Sequence, residues 1–425
     1  MDDFLKDFND NPNKQILDRW CLDAGKRSLH NSAVLFAKAA IDIRQRDNNQ
    51  DLLPEVAPIY QQLSISGYYC KDPMDKEIGA WAAEELCIDP NVEYIYRFTA
   101  RKNQVFYIKK LEELVEVKFK KELKYNLPSH WFPMNPSIVN WNNQLWMIQR
   151  TVNYRVKEDG NYQVKDDGQI ETRNYLVRLD SNLDIVSSAP MLHPDNWGPT
   201  IWDYVKGIED CRLFVKNNEL WCSATVREKN IVGLCEMYLF KILDPTSAEP
   251  KFEIVSVMQG PEPHRHEKNW MPLTPVIDCG FVYSMEPTVV IGDRQNITTN
   301  ITPSIAVENF RGGSQVIKFD QGYLAVIHES VEMFDGLRNY VHRFVYLNDK
   351  FVLERISPRF KIAGRRIEFV SGIAYHPDSQ DLVVSYGLSD RESWLLQLSH
   401  ESVLRILKPI PRKTRQELQP NGPVV

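Results

Sequence analysis

The sequence has no excess of positive charge and no long apolar run. Its formal net charge is −6 over 425 residues. An acidic chain without a basic stripe is a poor nucleic-acid binder, because contacts to phosphate groups dominate that affinity. No apolar stretch approaches the roughly 18 residues that span a bilayer as a helix. We therefore expect a protein without a nucleic-acid partner and without a membrane span.

Cysteine is sparse and scattered along the chain. The seven cysteines are odd in number, and no Cys-x-x-Cys pair occurs. This spacing argues against zinc or iron–sulfur ligation and is typical of reduced thiols inside the cell. The first segment, MDDFLKDFND, is acidic and lacks the apolar core of a secretory signal. The expectation is a cytoplasmic protein that holds no metal and needs no cofactor.

Residues 1–95 carry apolar side chains at spacings of three and four, which predicts amphipathic helices. The helical segments are expected at residues 14–27, 33–46, 52–67 and 76–87. They resemble irregular tetratricopeptide-like hairpins, although no clean repeat period is present. The sequence thus predicts an N-terminal α-helical region, which either caps the next domain or offers a surface to a protein partner or to a second copy.

Residues 96–408 show a different pattern, in which short alternating strands replace the helical periodicity. One unit recurs five times: a polar turn with Gly, Asn or Asp, then a strand, and often a second strand. Copies begin near residues 142, 217, 278, 320 and 379. These spacings fit the blades of a β-propeller. We therefore predict a mainly β fold, a five-bladed β-propeller, with a β-sandwich as the competing architecture and an extended or disordered tail at 409–425.

Two adjacent acids and an arginine precede the strand of the second repeat, in the segment Gly207-Ile-Glu-Asp-Cys-Arg. Asp210 there could donate a proton to a glycosidic oxygen, and Arg212 could orient a carboxylate. If Arg212 pairs with Glu209, burial and the like charge of Glu209 should raise the pKa of Asp210. The alternative is a purely structural Asp–Arg pair between neighbouring repeats.

Three further segments carry polar chemistry. The basic residues of 264–268 could bind an anion such as phosphate, while Trp270 could stack on a sugar or fill the core. The paired glycines at 312–313 could expose backbone N–H groups to a ligand or form a tight turn. Asp390 could accept hydrogen bonds from two sugar hydroxyls or be an exposed turn residue.

In this order, the motifs resemble those of glycoside hydrolase family 130, the mannoside phosphorylases, over roughly residues 130–405. The matching positions are Asn135-Pro-Ser, Arg150, Glu209-Asp-x-Arg212, Lys268-Asn269-x-x-Pro272, Gly312-Gly313-Ser314, His328 and Tyr386-Gly-x-x-Asp390. The resemblance implies a five-bladed β-propeller whose central funnel binds a sugar.

The resemblance also implies an activity and a set of site residues. It implies a mannoside phosphorylase, or a mannosyltransferase with a mannose-1-phosphate type donor, that inverts the anomeric centre in a single displacement. Asp210 would be the general acid, and Arg227, Lys268 and His328 would bind phosphate. The implied sugar-binding residues are Asn135, Arg150, Glu209, Arg212, Asn269, Gly313, Ser314, Tyr386 and Asp390. The expected ligands are a carbohydrate and inorganic phosphate or a sugar phosphate.

One departure from the family pattern keeps other functions open. Glu329 follows His328 where family members often have glycine, so we expect negative charge near the proposed anion site. A glycoside hydrolase that uses water, or a transferase with another donor, fits such a site. A non-catalytic glycan-binding propeller in a surface-polysaccharide assembly system is the alternative from a different class.

Overall fold

A computed structural model describes residues 14–46, 53–157, 160–164, 168–262, 264–274, 280–292, 297–333 and 335–410. The chain divides into two compact units: residues 1–108 with 304–306, and residues 109–303 with 307–425. The first unit is helical and the second is built almost entirely of strands, which confirms the mainly β class with an N-terminal helical region. Closure as a five-bladed propeller stays a prediction, and most of the predicted tail lies outside the described residues.

The helical unit contains five α-helices among its described residues. They are α1 (Lys14–Lys26), α2 (His30–Arg46), α3 (Leu53–Tyr69), α4 (Pro73–Ile88) and α5 (Tyr94–Gln104). The first four occupy the predicted helical segments to within a few residues. The fifth runs across the boundary predicted at residue 95; its sequence, YIYRFTARKNQ, is amphipathic but polar overall.

The helices pack through a continuous apolar core. The predicted stripe on α3 faces inward, with Val56, Ile59, Tyr60 and Leu63 all buried. Helices α3 and α4 approach closely at Gly67, where a Cβ atom would lie 2.9 Å from the Cα atom of Gly79. Several large apolar side chains of this unit stay exposed: Leu29, Leu35, Tyr68, Tyr69, Met74, Trp81, Tyr94 and Ile95. No helix among the described residues is long and apolar enough to cross a membrane.

The second unit opens with a short strand, β1 (Lys109–Lys110), and the strand β2 (Val117–Leu123). A first antiparallel sheet follows. Its strands are β3 (Phe132–Trp141), β4 (Gln144–Val152), β7 (Ile170–Leu179) and β8 (Ile185–Pro190), and the short strand β9 (Val205–Lys206) pairs in parallel with β7. Strands β5 (Tyr154–Val156) and β6 (Tyr162–Val164) form a separate two-stranded hairpin. The second sheet consists of β10 (Ile208–Lys216), β11 (Glu219–Val226), β12 (Glu236–Leu243) and β13 (Lys251–Met258).

Three more groups of strands complete the unit. The third sheet holds β14 (Met271–Thr274), β15 (Phe281–Met285), β16 (Thr288–Ile291) and β17 (Ile297–Ile301). The fourth holds β18 (Phe310–Gly312), β19 (Val316–Phe319), β20 (Gly322–Glu332), β21 (Arg338–Leu347), β22 (Leu353–Ile356) and β23 (Phe360–Lys361). The fifth holds β24 (Glu368–Tyr375), β25 (Leu382–Leu388) and β26 (Glu392–Leu398), followed by α6 (His400–Ile406) and β27 (Lys408–Pro409).

Two pairings join strands from different parts of the chain. Strand β14 pairs in parallel with β19, so the third and fourth sheets are continuous. Strand β2 pairs antiparallel with β26, so the fifth sheet receives its outer strand from the beginning of the unit. The Lys118 ammonium lies 2.9 Å from the Asp381 carboxylate and supports this pairing.

Apolar cores lie between sheets that follow one another. Ile138 and Met147 of the first sheet pack with Val383 and Leu395 of the fifth. Comparable clusters join the first sheet to the second, the second to the third, and the fourth to the fifth. The inner strands also meet in sequence, β3 with β10, β10 with β14, β14 with β19, β19 with β24, and β24 with β3.

Gln315 links three sheets at their inner strands. Its side-chain amide donates to the carbonyl oxygen of Ile138 at 2.5 Å and to that of Ile373 at 2.7 Å. The amide oxygen accepts the N–H of Ile373 at 3.2 Å. Because Gln315 is fully buried, these backbone groups have no access to solvent and depend on it for their hydrogen bonds.

We expect Gln315→Ala to lower the free energy of unfolding by about 2–4 kcal/mol, because each buried polar group left without a partner costs about 1–3 kcal/mol. Urea unfolding followed by tryptophan fluorescence measures the change. The control is Gln321→Ala at an exposed position of the fourth sheet, which should change stability by less than about 0.5 kcal/mol. Equal effects of the two substitutions would contradict the structural role of Gln315.

Candidate active site

The inner strands of the first two sheets are interrupted at equivalent places. Register shifts occur in β3 between Met134 and Ser137 and in β10 between Glu209 and Arg212. Inside these bulges Asn135 has φ +43° and Asp210 has φ +50°, a left-handed conformation that Asn and Asp tolerate better than other residues with a Cβ. A bulge re-aims a side chain out of the strand's alternation. Here the Asn135 amide donates to Asp210 Oδ1 at 3.0 Å.

Arg150, on β4, is the charged centre of this region. Its Nη1 donates to Asp210 Oδ1 at 2.6 Å and its Nη2 to Glu209 Oε2 at 3.0 Å. Nε and Nη2 also donate to the Thr172 hydroxyl at 3.3 and 3.2 Å. Arg150 is only 4% exposed, so both ion pairs are shielded from solvent. One guanidinium thus fixes both acids of the predicted motif.

Burial alone would raise the pKa of Asp210, but the charges of Arg150 and Arg212 and the hydrogen bond from Asn135 outweigh it and hold this pKa below its usual value. The expectation of a raised pKa is therefore wrong for the protein without substrate. Its premise was a pair between Arg212 and Glu209, whereas Arg150 makes the ion pair with Glu209.

Arg212 contacts the backbone and a neighbouring sheet. Its Nε donates to the carbonyl oxygen of Gly313, and its Nη1 donates to the Asp210 carbonyl oxygen at 2.8 Å. Its Nη2 lies 3.4 Å from Asn269 Oδ1. The guanidinium also sits 5.1 Å from the centre of the Phe369 ring. Arg212 therefore holds the bulge in place and brings Asn269 and Gly313 to the site.

Lys268 and Arg227 both lie near Cys235. Burial lowers the pKa of Lys268, but the charges of Glu209, Cys235 and Asp210 outweigh burial and raise this pKa above its usual value. The ammonium group therefore stays charged. Lys268 hydrogen-bonds the Cys235 thiol, and both Lys268 and Arg227 act on that thiol electrostatically. Arg227 Nε donates to the Gly233 carbonyl oxygen at 2.6 Å. Two of the three predicted phosphate ligands thus share one neighbourhood.

His328, the third predicted phosphate ligand, lies elsewhere in the site. Its ring centre is 4.8 Å from that of Phe369 and 5.3 Å from that of Tyr340. Burial first, and then the charges of Arg212 and Arg311, lower its pKa to about 3. The imidazole is therefore neutral near pH 7. In the described part of the chain, its Nδ1 atom has no hydrogen-bond partner.

Glu329 does not reach the anion site. It is fully buried and accepts hydrogen bonds from Arg343 Nε at 3.0 Å and from Arg359 Nη2 at 2.7 Å. Adjacent residues of a strand point to opposite faces, so His328 and Glu329 diverge. Arg343 and Arg359 thus offset the negative charge of Glu329, which the sequence predicted near the proposed phosphate site.

Three predicted ligand residues are used by the fold itself. Tyr386 is fully buried in the apolar core, where its ring stacks on that of Trp394 at a distance of 6.4 Å. The Ser314 hydroxyl accepts the N–H of Val326 and donates to the Gln315 carbonyl oxygen. Trp270 is fully buried in the core between the second and third sheets.

Gly387 packs against Asn135, a contact that the Tyr386-Gly-x-x-Asp390 motif does not reveal. A Cβ atom there would lie 2.5 Å from Asn135 Oδ1 and 2.6 Å from its backbone nitrogen. A glycine is therefore required for Asn135 to reach Asp210. Thr172 and Arg311 also escaped prediction. The β18–β20 pairing sets Arg311 opposite His328, which only the strand register could reveal.

Asp390 completes the cluster from the fifth sheet. Burial raises its pKa to about 6, with Arg150 lowering it and Asp210 raising it. The residue is half-buried, which differs from an exposed turn aspartate. Within the described ranges, no group of three or more His, Cys, Asp or Glu residues could hold a metal ion.

No protein-family model matches the sequence, and no curated protein matches it. Solved structures do resemble the chain. A β-1,2-mannobiose phosphorylase from Listeria innocua has 13% identity over 68% of this chain and 99% of its own, with a TM-score of 0.49. A mannose phosphorylase from Leishmania mexicana, in complex with phosphate, has 13% identity over 71% of this chain and 93% of its own, with a TM-score of 0.46.

A third similar structure is described as a glycoside hydrolase within the family 130 mannoside phosphorylases, acting on β-1,2 mannosidic linkages in Candida mannan. It has 11% identity over 63% of this chain and 84% of its own, with a TM-score of 0.43. The solved structures that resemble this chain thus include mannoside phosphorylases and hydrolases of the family whose motifs it resembles.

We expect Arg150→Met to destabilise the protein by about 3–5 kcal/mol at pH 7, because it leaves buried acids unpaired. The depressed pKa of Asp210 stabilises the wild type above about pH 4, and this contribution is lost only as the pH falls through the folded value. In the variant this contribution is absent, and protonation at low pH removes the unpaired negative charge of the buried acids. The loss should therefore be smaller at pH 4 than at pH 7.

Urea unfolding at the two pH values tests this expectation. Arg155→Met, at an exposed arginine on β5, is the control and should be nearly neutral at both. A loss for Arg150→Met that is the same at pH 4 and pH 7 would show that packing, and not charge, explains it.

Proposed function

We propose that the chain is a carbohydrate-active enzyme that transfers a glycosyl group by inverting single displacement, with Asp210 as the general acid. The substrate class is a mannoside or a mannose-1-phosphate type donor. The observation that carries the proposal is the carboxyl group of Asp210 itself. Arg150 and Asn135 both donate to Oδ1, and among the described residues no group donates to Oδ2.

The second oxygen of Asp210 is therefore the reactive one. The Asp210 side chain keeps 18% of its surface exposed, whereas that of Arg150 keeps 5%. A carboxyl group held through one oxygen and open at the other can meet a glycosidic oxygen in a defined direction. Positioned proton transfer of this kind typically contributes about 10²–10⁴-fold to a rate.

We also propose that the five sheets are the blades of a closed five-bladed β-propeller over residues 96–408. Cores between successive sheets, inner strands that meet in sequence, and the pairing of β2 with β26 support this architecture. A two-sheet sandwich would instead place one core between two faces. In a propeller the inner strands surround a funnel, and Asn135, Asp210 and Asn269 would line its mouth.

Inorganic phosphate is the proposed nucleophile, or the leaving group when a sugar phosphate is the donor. Lys268 and Arg227 supply positive charge beside the acid pair, and cationic side chains form the strongest hydrogen bonds to phosphate. His328 would act as a neutral hydrogen-bonding group. The ion pairs of Glu329 with Arg343 and Arg359 favour phosphate binding, because they offset the negative charge of Glu329.

A glycan-binding protein without catalysis is the second candidate, and one observation favours it. Asp210 is ionised in the protein without substrate, and an ionised carboxylate accepts hydrogen bonds from sugar hydroxyls without transferring a proton. For the helical unit, residues 1–95 in the sequence prediction, we propose contact with a protein partner or a second copy through its exposed apolar side chains.

Asp210→Asn should reduce turnover by about two to four orders of magnitude while changing sugar affinity little, because the amide fits the same space. Phosphate release from sugar 1-phosphates mixed with simple sugar acceptors is the assay, and calorimetry measures sugar affinity. Asp195→Asn, at an exposed carboxylate on the same unit, is the control. Turnover of the Asp210 variant above about a tenth of wild type would reject Asp210 as the acid, and binding without turnover in wild type would favour the second candidate.

Lys268→Met should raise the KM for phosphate at least about tenfold, because a charge-assisted contact is lost, and should change the KM for the sugar little. Steady-state kinetics with phosphate varied at fixed sugar concentration measures the effect. Lys251→Met, which removes a half-buried lysine of the second sheet that pairs with Asp195, is the matched control. If Lys268→Met leaves the KM for phosphate unchanged, the nucleophile is water or a sugar, or phosphate binds elsewhere.

A further inference from the structure

Two hairpins of the strand unit meet at their tips. The first joins β5 to β6 and has Gly160 in its turn, and the second joins β20 to β21 and has Leu337 in its turn. A Cβ atom on Gly160 would lie 3.0 Å from Leu337 Cδ2, so the two turns are in contact. The first hairpin follows β4 of the first sheet, whereas the second belongs to the fourth sheet. The contact therefore joins parts of the unit that do not follow one another along the chain.

The base of the β5–β6 hairpin rests on the candidate site. Tyr154, its first residue, is buried, and its hydroxyl donates to Met134 Sδ at 3.7 Å. Met134 immediately precedes Asn135, which donates to Asp210. Strand β4, which leads into the hairpin, carries Arg150 near its end. The hairpin is thus anchored beside the residues that hold Asp210.

The base of the β20–β21 hairpin rests on another part of the same site. Tyr340, on β21, has its ring centre 5.3 Å from that of His328 and 6.5 Å from that of Phe369. The guanidinium of Arg212 lies 5.1 Å from the centre of the Phe369 ring, and its Nη1 donates to the Asp210 carbonyl oxygen. Contacts therefore run from one hairpin base through Asp210 to the other, and the contact between the tips closes this circuit.

Tyr162 is the exposed aromatic residue of the β5–β6 hairpin. It is 57% exposed, whereas Tyr154 is 6% exposed. The two rings meet edge to face, with their centres 4.9 Å apart and their planes at 89°. This contact orients the Tyr162 ring and leaves much of its surface to solvent. Asp390, Lys268 and Arg150 act electrostatically on its hydroxyl, which agrees with a position at the edge of the candidate site.

An oriented, exposed tyrosine beside a carbohydrate site has a specific use. A pyranose ring presents C–H groups on one face, and these groups pack against the electron-rich face of an aromatic ring. Ligand sites combine such apolar surfaces with a few polar groups that fix the orientation of the ligand. The side chain of Asp210 is only 18% exposed, so a sugar that reaches Asp210 lies deeper than one that reaches Tyr162. The two residues thus contact different rings of one glycan.

Resting on the proposed glycosyl transfer, we propose that Tyr162 stacks on the second sugar ring of the substrate. This ring is the one on the leaving-group or acceptor side of the bond that Asp210 protonates. The reacting sugar occupies the inner part of the site, and the two hairpins bound the place of the next ring. Tyr162 is in this sense a specificity-determining residue, because it favours a disaccharide over a monosaccharide.

Sugar binding tests the proposal without turnover. Calorimetry is performed on the full chain with mannose and with a mannobiose. Tyr162→Ala should weaken mannobiose binding about tenfold, because the stacking surface is lost, and should change mannose binding by less than about twofold. Tyr162→Phe keeps the ring and should bind both sugars as the wild type does. Tyr94→Ala removes an equally exposed tyrosine of the helical unit and is the matched control, which should change neither affinity.

Three results would overturn the stacking role. Unchanged mannobiose binding in Tyr162→Ala would show that no sugar contacts the ring, and an equal loss for both sugars would show that the residue shapes the inner site instead. A loss in Tyr162→Phe as large as in Tyr162→Ala would assign the effect to the hydroxyl. Wild type that binds neither sugar would reject the proposed function together with this proposal, whereas wild-type binding that Tyr162→Ala leaves intact would reject the stacking alone.

Steady-state kinetics with a donor and acceptor that turn over give an independent measurement. Tyr162→Ala should raise the KM for the acceptor sugar about tenfold and leave kcat and the KM for the donor little changed, because binding and transition state lose the same contact. A lower kcat at unchanged KM for the acceptor would contradict the proposal, since Tyr162 would then act on the reacting sugar.

Discussion

The guanidinium of Arg150 is the contact on which the candidate site depends. It lies on the second strand of the first sheet and binds both acids of the second sheet, so the geometry of the site is set between two sheets and not within one. Its burial strengthens each ion pair and makes each one costly to break. Asn135 and Arg212 can orient Asp210 only because Arg150 already offsets the charge of the two carboxylates.

This arrangement divides the acids by role. Glu209 and Asp210 share one cation, which helps to hold the pKa of Asp210 below its usual value, whereas burial raises the pKa of Asp390 to about 6. Lys268 and Arg227 add positive charge on one side, and His328 adds a neutral ring on the other. The candidate site thus combines paired acids, basic side chains and a neutral imidazole. The buried pair of arginines around Glu329 keeps a fourth acid out of it.

Much of the fold could be predicted because its signals are periodic. Apolar spacing identified four helices, and the polar turn before each strand identified five strand units. Helix α5 was not predicted, because its sequence is polar overall and it crosses the boundary predicted between helices and strands. In the candidate site, the Glu-Asp-x-Arg motif contains two adjacent acids but does not reveal their partner, since Arg150 is about 60 residues away in sequence and pairs with them only through the contact of two sheets. Tyr386 shows a second limit. The motif predicts this residue as a sugar ligand, but the alternation of side chains along β25 places its ring in the apolar core.

The pairing of β2 with β26 has a consequence for how the chain is made. Strand β2, which is among the first of this unit to leave the ribosome, must wait for nearly the last one, some 270 residues later, before its hydrogen bonds can form. Contacts so distant in sequence slow folding and leave strand edges open during synthesis. Until then β2 presents an unpaired edge that carries Lys118, Lys120 and Lys121, and charged lysines on an edge discourage pairing with other chains. The same basic strand that completes the last sheet therefore protects the nascent chain from aggregation.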